Sequence, residues 1–105
     1  MKNPNKESLL ITFLNKLDDN NLKYVVWKNI HMLDLSLKGE FNLDIFVPNN
    51  YYERFIELAK LSKLIKVKHP AINYPFIDHF YLLGNDNKIY HLHVYYKIIT
   101  GESIL

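Results

Sequence analysis

Four polar side chains fall on two stretches of sequence that alternate like β-strands. In the segment 42–47 (Asn-Leu-Asp-Ile-Phe-Val), Asn42 and Asp44 alternate with apolar residues, so both face the same side of the strand. In a later segment, His91 and His93 alternate in the same way. Because buried carboxylates usually have a partner or a task, Asp44 is the leading candidate for a catalytic or ligand-binding residue.

Two interpretations stay open for each of these groups. Asp44 either belongs to a ligand or metal site, or is a polar residue hydrogen-bonded at the end of a strand. Histidines two apart on a strand face the same side, so His91 and His93 could share a zinc ion with Asp44. The alternative is that both imidazoles are half-buried and pack beside Tyr95. Trp27 could likewise stack on a base or belong to the core.

Hydrophobic periodicity predicts the elements that must position these side chains. Apolar residues at helical spacing predict amphipathic helices over 5–19 and 50–61, the second opened by a capping box of Asn50 and Glu53. A short, irregular helix is expected from Ile30. Alternating, β-branched and aromatic segments predict strands over 24–27, 42–47, 64–68, 76–83 and 88–96.

These elements predict a mixed α/β (α+β) domain. We expect a small, mixed, twisted sheet of about five strands with the two longer helices on one face. The four polar side chains would then share the other, open face of the sheet. With 105 residues, 49% of them hydrophobic, the chain has material for a single domain spanning residues 1–105. Its end at Ile104 and Leu105 suggests either the N-terminal part of a longer protein or a final helix that packs back on the domain.

Composition excludes several classes of function. The 13 basic and 11 acidic residues give a net charge of +2, and the lysines over 60–68 are interpreted as a solvated edge, so there is no strong nucleic-acid signal. The chain has 0 cysteines, which excludes disulfides and thiolate metal sites and fits a cytoplasmic protein. No apolar run approaches the length of a membrane span, so no membrane association is expected.

The order of these elements carries a resemblance to a known family. Trp27-Lys28-Asn29 ends the first predicted strand, a turn at Gly39 precedes Asn42-Leu43-Asp44-Ile45, and His91-Leu92-His93-Val94 comes late. This order resembles the nucleotidyltransferase fold of the polymerase-beta type, and in particular the nucleotidyltransferase-like domains of larger bacterial proteins. The resemblance covers roughly residues 22–101.

The resemblance implies a magnesium-dependent site for a nucleoside triphosphate. Carboxylates on the second strand and on a later strand would hold magnesium, and a glycine-containing pair would hold the triphosphate. In this chain the metal positions fall to Asn42, Asp44 and His93, with Asp44 as the catalytic residue. Lys28 and Asn29 take the cofactor-binding position of the glycine pair. Asn42 and the histidines replace expected carboxylates, so the implied metal site is eroded.

Three functions follow from this resemblance. The first is a nucleotidyltransferase-like module that binds a nucleotide or sugar nucleotide, or regulates a protein partner or fused domain, without ordinary two-metal catalysis. The second is an active magnesium-dependent nucleotidyltransferase that acts on a sugar, a small molecule or a protein. The third is an antitoxin-like interaction partner. Whether the chain is an enzyme stays open at this point.

Overall fold

The computed structural model of the protein describes residues 9–27, 30–68, 76–84 and 87–97. Short 3₁₀ turns at Ile30–Met32 and Asn49–Tyr51 lead into the second and third helices. The described helices and strands are, in chain order, α1 (Leu9–Asp19), β1 (Val25–Val26), α2 (Leu33–Leu37), β2 (Leu43–Phe46), α3 (Tyr52–Leu61), β3 (Ile65–Val67), β4 (Ile77–Leu83) and β5 (Ile89–Tyr95).

The five strands form one mixed sheet in the order β1-β2-β5-β4-β3. β2 and β5 run parallel, whereas the β1–β2, β3–β4 and β4–β5 pairs are antiparallel. β5 therefore lies between β2 and β4, so two segments about fifty residues apart in the chain meet at the centre of the sheet. The mixed α/β class expected from the sequence is confirmed.

The hydrophobic core lies between the helices and one face of the sheet. Phe55 of α3 is at its centre, with edge-to-face ring contacts at 5.8 Å to Phe13 of α1 and 5.7 Å to Phe80 of β4. Each fully buried side chain of this size contributes roughly 1.5–3 kcal/mol to folding. The sheet supplies alternate residues to the same core: Leu43, Ile45, Val47, Phe80, Leu82, Tyr90, Leu92 and Val94. The side chains on the opposite face of the sheet are consequently not part of this core.

All three helices end in the same backbone arrangement. At the end of α2, Glu40 N–H donates to Leu35 O and Gly39 N–H donates to Ser36 O, with Gly39 at φ +80°. This is the Schellman pattern, which needs a residue in the left-handed region and favours glycine there. Asn21 (φ 56°) and Lys63 (φ 64°) take the same position after α1 and α3.

The capping box predicted at the start of α3 is wrong. Asn50 lies inside the 3₁₀ turn Asn49–Tyr51, and neither that turn nor α3 has a side-chain cap. Pro48, at φ −53°, already starts the turn, and its carbonyl accepts the N–H of Tyr51 at 2.9 Å. Backbone bonds of this kind satisfy the first donors of the helix, so no side-chain cap is required.

None of the helices within the described ranges is long and apolar enough to cross a membrane.

Candidate functional site

Two neighbouring parallel strands place the candidate residues. In the register of β2 and β5, Asp44 pairs with His93, and Ile45 pairs with Val94. Because Ile45 and Val94 point into the core, Asp44 and His93 point away from it, onto the open face. The sequence-based prediction that these two groups share the open face of the sheet is therefore confirmed.

Asn42, Asp44 and His93 meet at short distances. Asn42 Nδ2 donates to Asp44 Oδ1 at 3.2 Å, and His93 Nδ1 lies 3.2 Å from the same carboxylate oxygen. Asn42 Nδ2 and His93 Nδ1 are 3.4 Å apart. The Asp44 side chain is 3% exposed, whereas that of His93 is 25% exposed. The carboxylate is thus the buried partner of a group that reaches the surface.

The shorter distance from His93 Nδ1 is used to assign its hydrogen. Nδ1 lies 3.2 Å from Asp44 Oδ1 and 3.4 Å from Asn42 Nδ2, so we assign the ring proton to Nδ1 and direct the Asn42 amide nitrogen at Asp44. Rotating the Asn42 amide by half a turn would bring two acceptor oxygens together. The remaining polar atoms are therefore Asn42 Oδ1 and His93 Nε2, and in neutral imidazole Nε2 is a hydrogen-bond acceptor.

Tyr95 is a third partner of Asp44. Burial, followed by the charge of Asp44 and a hydrogen bond to its carboxylate, raises the pKa of the Tyr95 hydroxyl above its ordinary value. The Tyr95 ring also packs edge-to-face on Trp27 at 4.6 Å. The backbone N–H of Trp27 donates to Asp44 O at 2.8 Å. Trp27 therefore contacts the site through Tyr95. It is half-buried and is not among the core residues, so the core alternative considered for it is wrong.

A cleft of about 380 Å³ opens beside this cluster. It is lined by Gly39, Glu40, Phe41, Asn42, His91 and His93. The turn after α2 supplies the first side of the cleft, and a Cβ at Gly39 would lie 3.1 Å from Cε2 of Tyr90. The close approach of that turn to β5 therefore depends on glycine. Histidines two apart on β5 form the second side.

Comparison with known proteins gives no assignment. No family model, curated protein or solved structure matches this chain significantly. The resemblance to nucleotidyltransferases therefore stays a prediction that rests on the residues named above. Lys28 and Asn29, the predicted cofactor-binding pair, lie outside the described residues.

The residues present do not fit a two-magnesium centre. Asp44 is the single carboxylate of the cluster, and its Oδ1 already accepts from Asn42 and lies beside His93. Magnesium prefers oxygen ligands, whereas Asn42 turns its amide nitrogen toward Asp44. Within the described ranges, no group of three or more His, Cys, Asp or Glu residues is arranged to hold a metal ion. The metal-ligand role of Asn42, Asp44 and His93 stays a prediction.

Each of the two cleft histidines contacts a ring on the neighbouring strand β4. His79 lies opposite His93, with ring centroids 4.3 Å apart, and Tyr81 contacts His91 at 4.5 Å. These contacts fix the ring planes of both cleft histidines from the side of β4. Each imidazole is thus held in place by a neighbour, as in the packing alternative, and yet both line the cleft.

Sequence reasoning did not identify Glu40 or Tyr95 as members of the site. Tyr95 shares the strand alternation of His93, so the pattern could have included it. Glu40 follows the Gly39 turn, and no sequence pattern around it indicated a place in the site. Its position in the cleft depends on the packing of α2 against β2 and β5.

Proposed function

We propose that this protein is a nucleotidyltransferase-like domain that binds a nucleotide or sugar nucleotide in the cleft beside Asn42 and His93. In this proposal it acts in the cytoplasm as a binding or regulatory module, without two-metal catalysis. The observation that carries the proposal is the convergence of Asn42, Asp44 and His93 at the cleft, with a single carboxylate among them.

The size and lining of the cleft support a small-molecule ligand. Ligand sites typically have volumes of roughly 300–1,000 Å³, with a few convergent polar groups that orient the ligand. The cleft, at about 380 Å³, lies in the lower part of this range. Its polar groups come from β5 and from the turn that leads into β2, so the sheet holds them in a fixed relation. Such a preformed site binds with little loss of side-chain entropy.

The hydrogen bonds of Asp44 support binding rather than metal-dependent turnover. Asn42, His93 and Tyr95 all direct hydrogen-bond donors at its carboxylate. Recruiting magnesium would require the loss of some of these bonds in a buried place, where unsatisfied donors are costly. The negative charge of Asp44 is therefore used to hold its neighbours.

Thermal unfolding with a panel of nucleotides and nucleotide sugars tests this proposal. A ligand that binds only the folded state stabilises it by mass action, by about 2.7 kcal/mol at one hundred times its dissociation constant. We expect a member of the panel to raise the Tm without magnesium, and His93→Gln to reduce that shift. His31→Gln, at an exposed histidine outside the cleft, is the matched control. Absence of any shift, or a shift that only magnesium allows, would contradict the proposal.

A further inference from the structure

Three of the side chains that line the cleft offer hydrogen-bond acceptors. Glu40 contributes a carboxylate, and Asn42 contributes Oδ1 because its amide nitrogen is directed at Asp44. His93 contributes Nε2, which is an acceptor in the tautomer that carries the ring proton on Nδ1, 3.2 Å from Asp44 Oδ1. A ligand that fits such a site must bring several hydrogen-bond donors.

The described lining also lacks a feature that a phosphate site needs. Among the described residues that line the cleft, none is a lysine or an arginine. The ammonium group of Lys88 donates to the carbonyl of Lys38 at 3.0 Å, one residue before the lining begins. Phosphates are recognised by cations and by clusters of N–H donors, whereas a carboxylate such as that of Glu40 repels them.

We propose that the cleft takes the uncharged, hydroxyl-rich sugar part of the ligand, and that the phosphates of a sugar nucleotide lie outside it. This proposal rests on the proposed function and adds the chemical class recognised in the cleft. A sugar offers hydroxyl donors to Glu40, Asn42 and His93 at once. Phe41, also in the lining, adds an apolar surface of the kind that can cover the face of a sugar ring.

Asp44 is a positioning residue in this site. Its side chain is 3% exposed and acts on the ligand through Asn42 and His93, whose Nδ2 and Nδ1 atoms both lie 3.2 Å from its Oδ1. The acceptor character of His93 Nε2 therefore depends on Asp44. The Asp44→Asn variant retains the shape of the side chain but can present an amide nitrogen in place of a carboxylate oxygen, so the proton of His93 is expected to move to Nε2 in a fraction of the molecules.

Titration calorimetry in the absence of metal tests the sugar site. The probes are UDP-glucose, UDP alone and glucose alone, all at the same mildly alkaline pH. We expect UDP-glucose to bind at least about tenfold more tightly than UDP, which is about 1.4 kcal/mol. Glu40→Gln and His93→Gln should remove that difference while UDP binding is retained, and His31→Gln should leave it unchanged.

The possible results separate this inference from the proposed function. If UDP and UDP-glucose bind with equal affinity and both shift the NMR resonances of the cleft residues, the cleft binds a nucleotide but the sugar assignment is wrong. If neither probe binds and no other nucleotide sugar does, the proposed function itself fails. Binding of an aliphatic diamine that depends on Glu40, without any contribution from sugar hydroxyls, would also overturn the sugar assignment.

Nitrogen-15 chemical shifts of the His93 ring report its tautomer. A loss of stability alone would not change that tautomer. The wild type should show the proton on Nδ1, and Asp44→Asn should shift the tautomer toward Nε2 while the amide spectrum stays dispersed. An Nε2–H tautomer in the wild type would contradict the acceptor role of His93.

Discussion

Asp44 and His93 face each other across the parallel strands β2 and β5, with Oδ1 of Asp44 3.2 Å from Nδ1 of His93. The pair joins segments that are about fifty residues apart in the chain, so the site exists only when the centre of the sheet is formed. The two residues have different roles: the buried carboxylate of Asp44 orients the imidazole of His93, and the partly exposed imidazole lines the cleft.

Removal of the Asp44 carboxylate should destabilise the fold. In Asp44→Ala the donors of Asn42, His93 and Tyr95 lose their common acceptor, and an unsatisfied buried donor costs about 1–3 kcal/mol. We expect the free energy of unfolding in urea to fall by about 2 kcal/mol or more at neutral pH. A change below about 0.5 kcal/mol, typical of a surface substitution, would mean that these bonds do not hold the site together.

Introducing a second carboxylate should create an affinity for divalent cations. In Asn42→Asp, two carboxylates would be in contact where an amide now donates to Asp44 at 3.2 Å, and like charges at that distance repel each other. The Tm in chelator should drop by about 4 °C or more, and manganese or magnesium should recover much of the loss. A wild type that is stabilised equally by these ions would show that Asn42 already serves in a metal site.

The turn at Gly39 and the turn at Lys63 should respond to substitution in opposite directions. Both residues have a positive φ at the end of a helix, but only Gly39 tolerates it without cost. Gly39→Ala should destabilise by about 1–2 kcal/mol, since its Cβ also meets the Tyr90 ring at 3.1 Å. Lys63→Gly should be neutral or stabilise by up to about 1 kcal/mol. The same sign for both changes in urea unfolding would refute this account of the helix ends.

Stability should fall in alkaline solution because of the buried tyrosines. Burial and a 2.7 Å hydrogen bond to Asp78 raise the pKa of Tyr96 above the usual 10.0. A group with a raised folded pKa stabilises fully below its unfolded pKa, and this contribution is lost as the pH rises beyond it, by about 1.4 kcal/mol per pH unit. Tyr96→Phe should therefore be less stable at neutral pH but lose stability less steeply above pH 10. Parallel slopes for both proteins would contradict this.

Alternation in the sequence was sufficient to predict which side chains share the open face. The polar residues Asn42 and Asp44 and the apolar Leu43 and Ile45 separate onto opposite faces as the two-residue period requires. Helices α1 and α3 were also predictable from the sequence, because the apolar residues of each form a single stripe along the helix. Local patterns of this kind reflect the environment of each residue.

The pairing of β2 with β5 could not be predicted from local pattern. Strand order and register depend on which surfaces bury each other. Alternation and the resemblance predicted a common face for His93 and Asp44, but not that their strands are neighbours. The contribution of Tyr95 to Asp44 and the place of Glu40 in the cleft follow from that register. The left-handed backbone at Lys63 was equally hidden, because lysine gives no signal for it.

A two-dimensional amide NMR titration with UDP-glucose, in the presence of a chelator, tests the central claim most directly. We predict saturable shifts for residues 39–42, His91 and His93 and no shifts for the outer surface of α3, where Glu53 and Glu57 serve as reporters. The sole tryptophan, Trp27, should change its fluorescence in the same titration, because it packs on Tyr95 beside Asp44. A spectrum that stays unchanged at the cleft for UDP-glucose and for every other nucleotide tested would contradict the account.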